Sequence, residues 1–199
     1  MRPILMVLAL SVLTMHPTNA SAETPCLVPG RGHFRVNVDA GGLFGAFAHD
    51  HLIEAQKIEG CATVDPQNLS RSSVKVTFRT PDLRVLDPKE TADDRAKVQK
   101  TMETDVLRIA EYPQITFEST GVEAAGSDKF RLRGNLTIRG KSQPVMIPVA
   151  LKHLSDGTWE VTGEYRLKQS TFGIKPISLA GGTIKVKDEV RTEFDLFLK

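Results

Sequence analysis

Apolar residues recur at every second position in segment after segment of this 199-residue chain. Phe34, Val36 and Val38 alternate with Arg35, Asn37 and Asp39, and Val74, Val76 and Phe78 alternate with Lys75, Thr77 and Arg79. The same beat runs through Ile115–Glu118, Leu132–Arg139, Trp159–Leu167, Ile184–Val186 and Phe194–Leu198. A strand turns successive side chains to opposite faces, so a period of two marks a half-buried strand. Turn residues punctuate these segments, among them Ser127-Asp128, Arg139-Gly140, Asp156-Gly157 and Gly181-Gly182. Short antiparallel strands with polar outer faces, joined by hairpins, specify an all-β sandwich or a closed barrel.

Two stretches depart from that beat. Lys89–Glu111 lacks Gly and Pro, and Ala92, Ala96, Met102, Val106 and Ile109 recur at near-helical spacing. Thr91 with Asp94 resembles a capping box, and Tyr112-Pro113 ends the segment because the residue before proline leaves the helical region. One helix over 89–111 is therefore expected, packed on the barrel as a candidate lid. Val145–Leu151 is apolar at both parities, which predicts a strand covered on both faces.

The first residues carry a different message. Arg2, the apolar run Ile4–Met15 and the small residues Ala20-Ser21-Ala22 have the order of a secretory signal peptide, with cleavage after Ala22. Residues 1–22 are thus expected to be a leader and 23–199 one domain, exported to a bacterial periplasm. No later run is long and apolar enough for a membrane helix. Cys26 and Cys61 are the two cysteines, and an even count in an oxidising compartment predicts one disulfide. With 26 basic and 24 acidic side chains, the chain lacks the basic excess that a nucleic-acid partner requires.

Chemistry is thinly represented. His49 and His51 flank Asp50, and in a strand both imidazoles share a face. A metal needs a third and usually a fourth ligand, and only His33 lies near in sequence, so no metal is expected. No nucleophile elbow, zinc-protease motif or phosphate loop occurs, so the chain is read as a binding protein and not as an enzyme. A small barrel can be filled by side chains or can hold one ligand. Its inner faces here are Val, Leu, Ile and Phe, so any ligand is largely apolar.

The order of several short motifs resembles the YceI family of lipocalin-like proteins. Phe47 followed by His51-Leu52 is similar to the family's early strand, and Ile58-Glu59-Gly60 and Ser73-Val74-Lys75-Val76 to the next two. Tyr112-Pro113-Gln114-Ile115-Thr116-Phe117-Glu118-Ser119-Thr120 resembles its most distinctive stretch. Gly134–Gly140, Pro144-Val145 and Ser170-Thr171-Phe172-Gly173-Ile174 follow in family order. The family's histidine-containing helix with paired phenylalanines has no counterpart in Thr104–Ile109, and His49 is additional to the pattern.

The resemblance implies an extended antiparallel lipocalin-like β-barrel of about eight strands with one inserted helix. It further implies a periplasmic protein that sequesters or transports a long-chain isoprenoid or another amphipathic lipid, with no cofactor. Phe34, Val36, Phe47, Val76 and Phe117 are expected to line the bore, together with Leu136, Ile138, Val161 and Phe172. His51 is the candidate for the polar end of the ligand, and a homodimer stays open. Two other readings remain: a metal- or haem-linked redox accessory using His49, His51 and His33, and a stress-related scaffold with a filled barrel.

Overall fold

The computed structural model describes residues 24–41, 50–65, 67–179 and 184–199. The expected leader, Phe47 and His49 lie outside these residues.

The alternating segments form one curled antiparallel sheet. Its strands are β1 (Leu27–Val38), β3 (His51–Ala55), β4 (Ile58–Thr63), β5 (Ser73–Arg79) and β6 (Leu83–Val85), followed by β7 (Gln114–Ala124), β8 (Lys129–Ile138), β9 (Lys141–His153), β10 (Trp159–Lys168) and β13 (Glu189–Leu198). They run in the order β4-β5-β7-β8-β9-β10-β13-β1-β3-β6. Three short strands, β2 (Ala40–Gly41), β11 (Ser178–Leu179) and β12 (Ile184–Val186), make a second small sheet. The main sheet thus has ten strands where about eight were expected. The additional strands include β6, which at three residues is too short for alternation to reveal.

The β8–β9 hairpin shows how local sequence fixes register. Arg139 and Gly140 both take positive φ, 50° and 69°, and Ile138 pairs directly with Lys141. A two-residue turn with both φ positive matches the twist of the flanking strands. Leu132, Leu136 and Ile138 then share the face that meets Ile147 and Val145 across the ladder.

Both edges of the sheet are handled without a strand partner. On β6, the Gln99 side chain accepts from the Val85 N–H (2.8 Å) and donates to the Leu83 carbonyl (2.9 Å), as a neighbouring strand would. On β4, Cys61 is joined to Cys26 by a disulfide, and the Ala62 N–H donates to the Pro25 carbonyl at 2.9 Å. The expected bridge is therefore present, and it ties the start of β1 to the far edge of the sheet.

The helix is shorter than its sequence suggests. α1 spans Ala92–Thr101, with the Thr91 hydroxyl accepting from the Asp94 N–H at 3.1 Å. Met102–Val106 then widens into a π-type turn in which the Leu107 N–H reaches the Met102 carbonyl at 2.8 Å. Five residues on an α-helix are about 140° apart, whereas the wider turn brings them close to one face. Met102 and Leu107 accordingly both point inward, at 6% and 9% exposure, while α1 itself buries no residue. The helical segment ends at Val106, before Tyr112-Pro113 is reached, and Arg108 follows in the left-handed region at φ 52°. The Tyr112 carbonyl accepts from the Thr80 hydroxyl at 2.8 Å, and the Pro113 carbonyl from the Thr80 N–H at 3.0 Å.

The expectation for Val145–Leu151 needs correction. Val149 is buried, but Met146 is 46% exposed and Pro148 is also exposed on the outer face. Both parities are apolar in sequence, yet only the inner one is buried, and α1 packs against β6.

Candidate ligand-binding bore

The inner faces of the curled sheet enclose a cavity of about 230 Å³. It begins at Leu27, Cys61 and Leu198 beside the disulfide and reaches Met102, Leu107 and Ile174 at the other end. Along β13 those limits run from Val190 to Leu198, about 25 Å at the rise of an antiparallel strand. Phe34 occupies the middle of the wall, its ring centroid 4.5 Å from Phe78 and 5.8 Å from Phe194.

Two glycines explain why large rings leave the bore open. Gly134 and Gly163 occupy inner positions of β8 and β10. A Cβ on Gly134 would lie 2.7 Å from the Phe117 ring, and one on Gly163 would collide with the Phe194 ring and stand 2.8 Å from the Pro148 carbonyl. Each ring therefore packs over the glycine of a paired strand, in space that a side chain there would occupy. This is the cross-strand pairing by which aromatic residues cover strand glycines.

Seven of the residues expected in the bore line it: Phe34, Val36, Val76, Phe117, Leu136, Ile138 and Val161. Phe172 is 3% exposed and packs in the same core beside Ile174, behind the cavity wall. Met102 and Leu107 were hidden from sequence reasoning because their shared face depends on the π-type turn. Tyr165 and Thr192 had a signal, since both fall at the inner parity of their strands.

None of the described lining residues is charged. Three carry polar side chains, and two of these are already engaged. The Thr192 hydroxyl donates to the Tyr165 carbonyl at 3.0 Å, and the Gln169 amide donates to the Lys187 carbonyl at 2.9 Å. Burial raises the Tyr165 phenol above its ordinary value.

His51 is placed beside this cavity and not among its lining residues. Its Nδ1 pairs with Asp87 at 2.7 Å, and the other Asp87 oxygen accepts from the Leu52 N–H at 2.6 Å. Asp87 is 3% exposed and sits between β6 and α1, so the contact straps β3 to the segment leading into the helix. His33 lies on the opposite face of β1 from Phe34, and His153 stacks on Trp159 with ring centroids 4.5 Å apart. The described histidines do not converge, and among the described residues no group of three metal-ligating side chains forms.

An extended antiparallel barrel with an apolar bore and no charge on its lining defines the lipocalin-like class of fold. The chain belongs to the YceI family: the YceI-like domain model matches residues 31–198. A UPF0312 protein of Azotobacter vinelandii is 32% identical over 141 residues, which spans 67% of this chain and 64% of that protein. Among solved structures, BcnA of Burkholderia cenocepacia superposes with a TM-score of 0.67 at 20% identity, covering 86% of this chain and 98% of BcnA. A polyisoprenoid binding domain from Saccharophagus degradans gives a TM-score of 0.64 at 11% identity, covering 88% and 97%. The fold is thus shared well beyond recognisable sequence identity.

Proposed function

We propose that this protein binds a long-chain isoprenoid or a similar amphipathic lipid in the bore and sequesters or transports it in the periplasm, without catalysis. The observation that carries this reading is the continuous apolar cavity that runs from the disulfide to the Met102–Leu107 turn. Each methylene moved from water into such a cavity contributes about 0.8 kcal/mol, so a long chain binds tightly without specific contacts. The polyisoprenoid binding domain with the same fold supports the ligand class. The apolar run near the start and the Cys26–Cys61 disulfide support export to an oxidising compartment. No helix among the described residues is long and apolar enough to cross a membrane.

In this reading Phe34, Val36, Val76, Phe117, Leu136, Ile138 and Val161 touch the chain of the ligand. His51 has one ring nitrogen engaged by Asp87, which leaves the other to face a polar end. Native mass spectrometry of protein isolated from the periplasm tests the proposal. A bound mass of several hundred daltons that extracts into organic solvent is the expected result. A protein free of lipid after gentle isolation, and unable to take up lipid afterwards, would leave the filled-barrel scaffold in its place.

A further inference from the structure

Between β1 and β4 the wall of the bore closes without a ladder. β1 pairs with β13 and, from Arg35 onward, with β3, whereas β4 pairs with β5. Among the described residues, β1 and β4 meet at one isolated bridge, Cys26 to Cys61, beside the Ala62 N–H that donates to the Pro25 carbonyl. The sequence explains why the ladder stops there. β1 advances five residues, from Leu27 to Gly32, while β13 advances two, from Leu198 to Leu196. Pro29 within this bulge has no N–H to offer, and Gly30 and Gly32 take positive φ, 72° and 87°. An edge so interrupted does not present the regular donors and acceptors that a neighbouring strand needs.

This seam borders the cavity. Leu27 on one side and Gly60 and Cys61 on the other are lining residues. Its far end is stopped by the Phe34 and Phe78 rings, 4.5 Å apart, and by the β1–β3 ladder. From Cys61 to Ile58 it runs about 10 Å along β4, at the rise of an antiparallel strand. The bridge is also within reach of solvent. Cys26 and Cys61 are both partly exposed, and Lys75, the cross-strand partner of Cys61, is exposed.

Resting on the lipid-binding reading, we propose that this seam is a side portal of the bore and that the Cys26–Cys61 disulfide is its redox-operated latch. Oxidised, the bridge holds the seam shut and the apolar chain inside. A dithiol reductant opens it in two steps. One reductant thiolate attacks a bridge sulfur, forming a mixed disulfide and releasing the other cysteine as a thiolate that takes up a proton. The second reductant thiol then gives up its proton and displaces the remaining cysteine, so the reductant leaves as a disulfide and Cys26 and Cys61 remain as two thiols. Across the seam the hydrogen bond from Ala62 to Pro25 is left, and a single bond of this kind contributes little net stability. The edge of β4 then parts from β1 often enough for a chain to pass.

The probe is dansyl-undecanoic acid, a fatty chain whose fluorescence rises in an apolar site. Its binding and release are followed by stopped-flow mixing and dilution, with oxidised protein, with protein reduced by dithiothreitol, and after reoxidation. A portal lowers the barrier in both directions and leaves the equilibrium alone. Reduction should therefore raise both rates about tenfold at an unchanged Kd, and reoxidation should restore the slow rates. Cys26→Ser/Cys61→Ser should exchange as fast as reduced protein and ignore dithiothreitol. Ala62→Pro removes the seam hydrogen bond with the bridge intact, and it should also exchange faster in both directions. Equal rates in oxidised and reduced protein overturn the latch while the carrier reading stands. If reduction unfolds the chain, unchanged rates in Ala62→Pro do the same. Weaker binding with unchanged association, the mark of general loosening, also overturns it, as does a bridge that dithiothreitol fails to reduce in the folded protein. A protein that binds no probe in either state overturns the carrier reading and the latch together.

Discussion

Cys26 and Cys61 stand 3.9 Å apart at their Cα atoms and fasten the first strand of the sheet to its far edge. Cys26 also exchanges two backbone hydrogen bonds with Lys199, at 3.0 and 2.9 Å, so both ends of the described chain meet at this seam. The bridge therefore contributes to closing the bore as well as to holding the N-terminal segment. The ladder between β4 and β1 is otherwise missing, because β1 pairs with β13 and β3 and β4 pairs with β5.

Removing the bridge should lower stability without changing the fold. The cysteines are 35 residues apart, and closing a loop of that size restricts the unfolded chain by about 3–4 kcal/mol. The paired variant Cys26→Ser/Cys61→Ser is expected to melt about 10 °C below wild type in calorimetry, on the scaling for domains of this size. Dithiothreitol should bring wild type to the same point.

Asp87 is expected to be the most sensitive acidic residue for stability. Asp87→Ala leaves the Leu52 N–H and His51 Nδ1 without their acceptor in a nearly closed environment. A loss of about 2–3 kcal/mol in urea unfolding is predicted. Asp87→Asn, which keeps an oxygen for Leu52, should lose less.

Gln99 offers a test of how the β6 edge is protected. Gln99→Ala frees the Val85 N–H and the Leu83 carbonyl together, and removes the donor to Glu103. Limited proteolysis should then cut faster between residues 86 and 111. Gln99→Glu retains the acceptor for Val85 but repels Glu103, so it should also be cut faster than wild type.

Gly163→Val tests the link between the glycine positions and the lumen. The added side chain displaces the Phe194 ring from its place over β10 and toward the cavity. Overpacking of this kind costs about 1–3 kcal/mol. If the bore holds lipid, the same variant should retain less of it by extraction and mass spectrometry, whereas an exposed outer substitution such as Met146→Thr should retain as much as wild type.

The β9–β10 turn carries a defined acid response. The Thr158 hydroxyl and N–H, joined by Arg31, hold the Asp156 carboxyl down to about 2 from 3.8. A depressed carboxylate stabilises the folded chain fully above pH 3.8, and that contribution fades as pH falls from 3.8 toward 2. An NMR titration should place the Asp156 midpoint near 2, and Thr158→Ala should move it upward. Because the group is solvent-exposed, the turn should loosen locally while the sheet persists.

Several features were determined by the sequence alone. The period of two in Phe34–Val38, Val74–Phe78 and Leu132–Ile138 is a local property of the strand, so it identified both the strands and their inward residues. Arg139-Gly140 also acts through nearest neighbours, which is why the hairpin was legible. An even cysteine count, with the leader-like start of the sequence, was enough to expect the bridge.

What only the tertiary structure decided depends on atoms brought together from distant positions. Val145–Leu151 is apolar at both parities, and curvature of the whole sheet selected Val149 for burial and left Met146 exposed. The helix gave way to a π-type turn at Met102 because two residues five apart had to face one bore. His51 met Asp87 across 36 positions, a pairing that no spacing rule encodes.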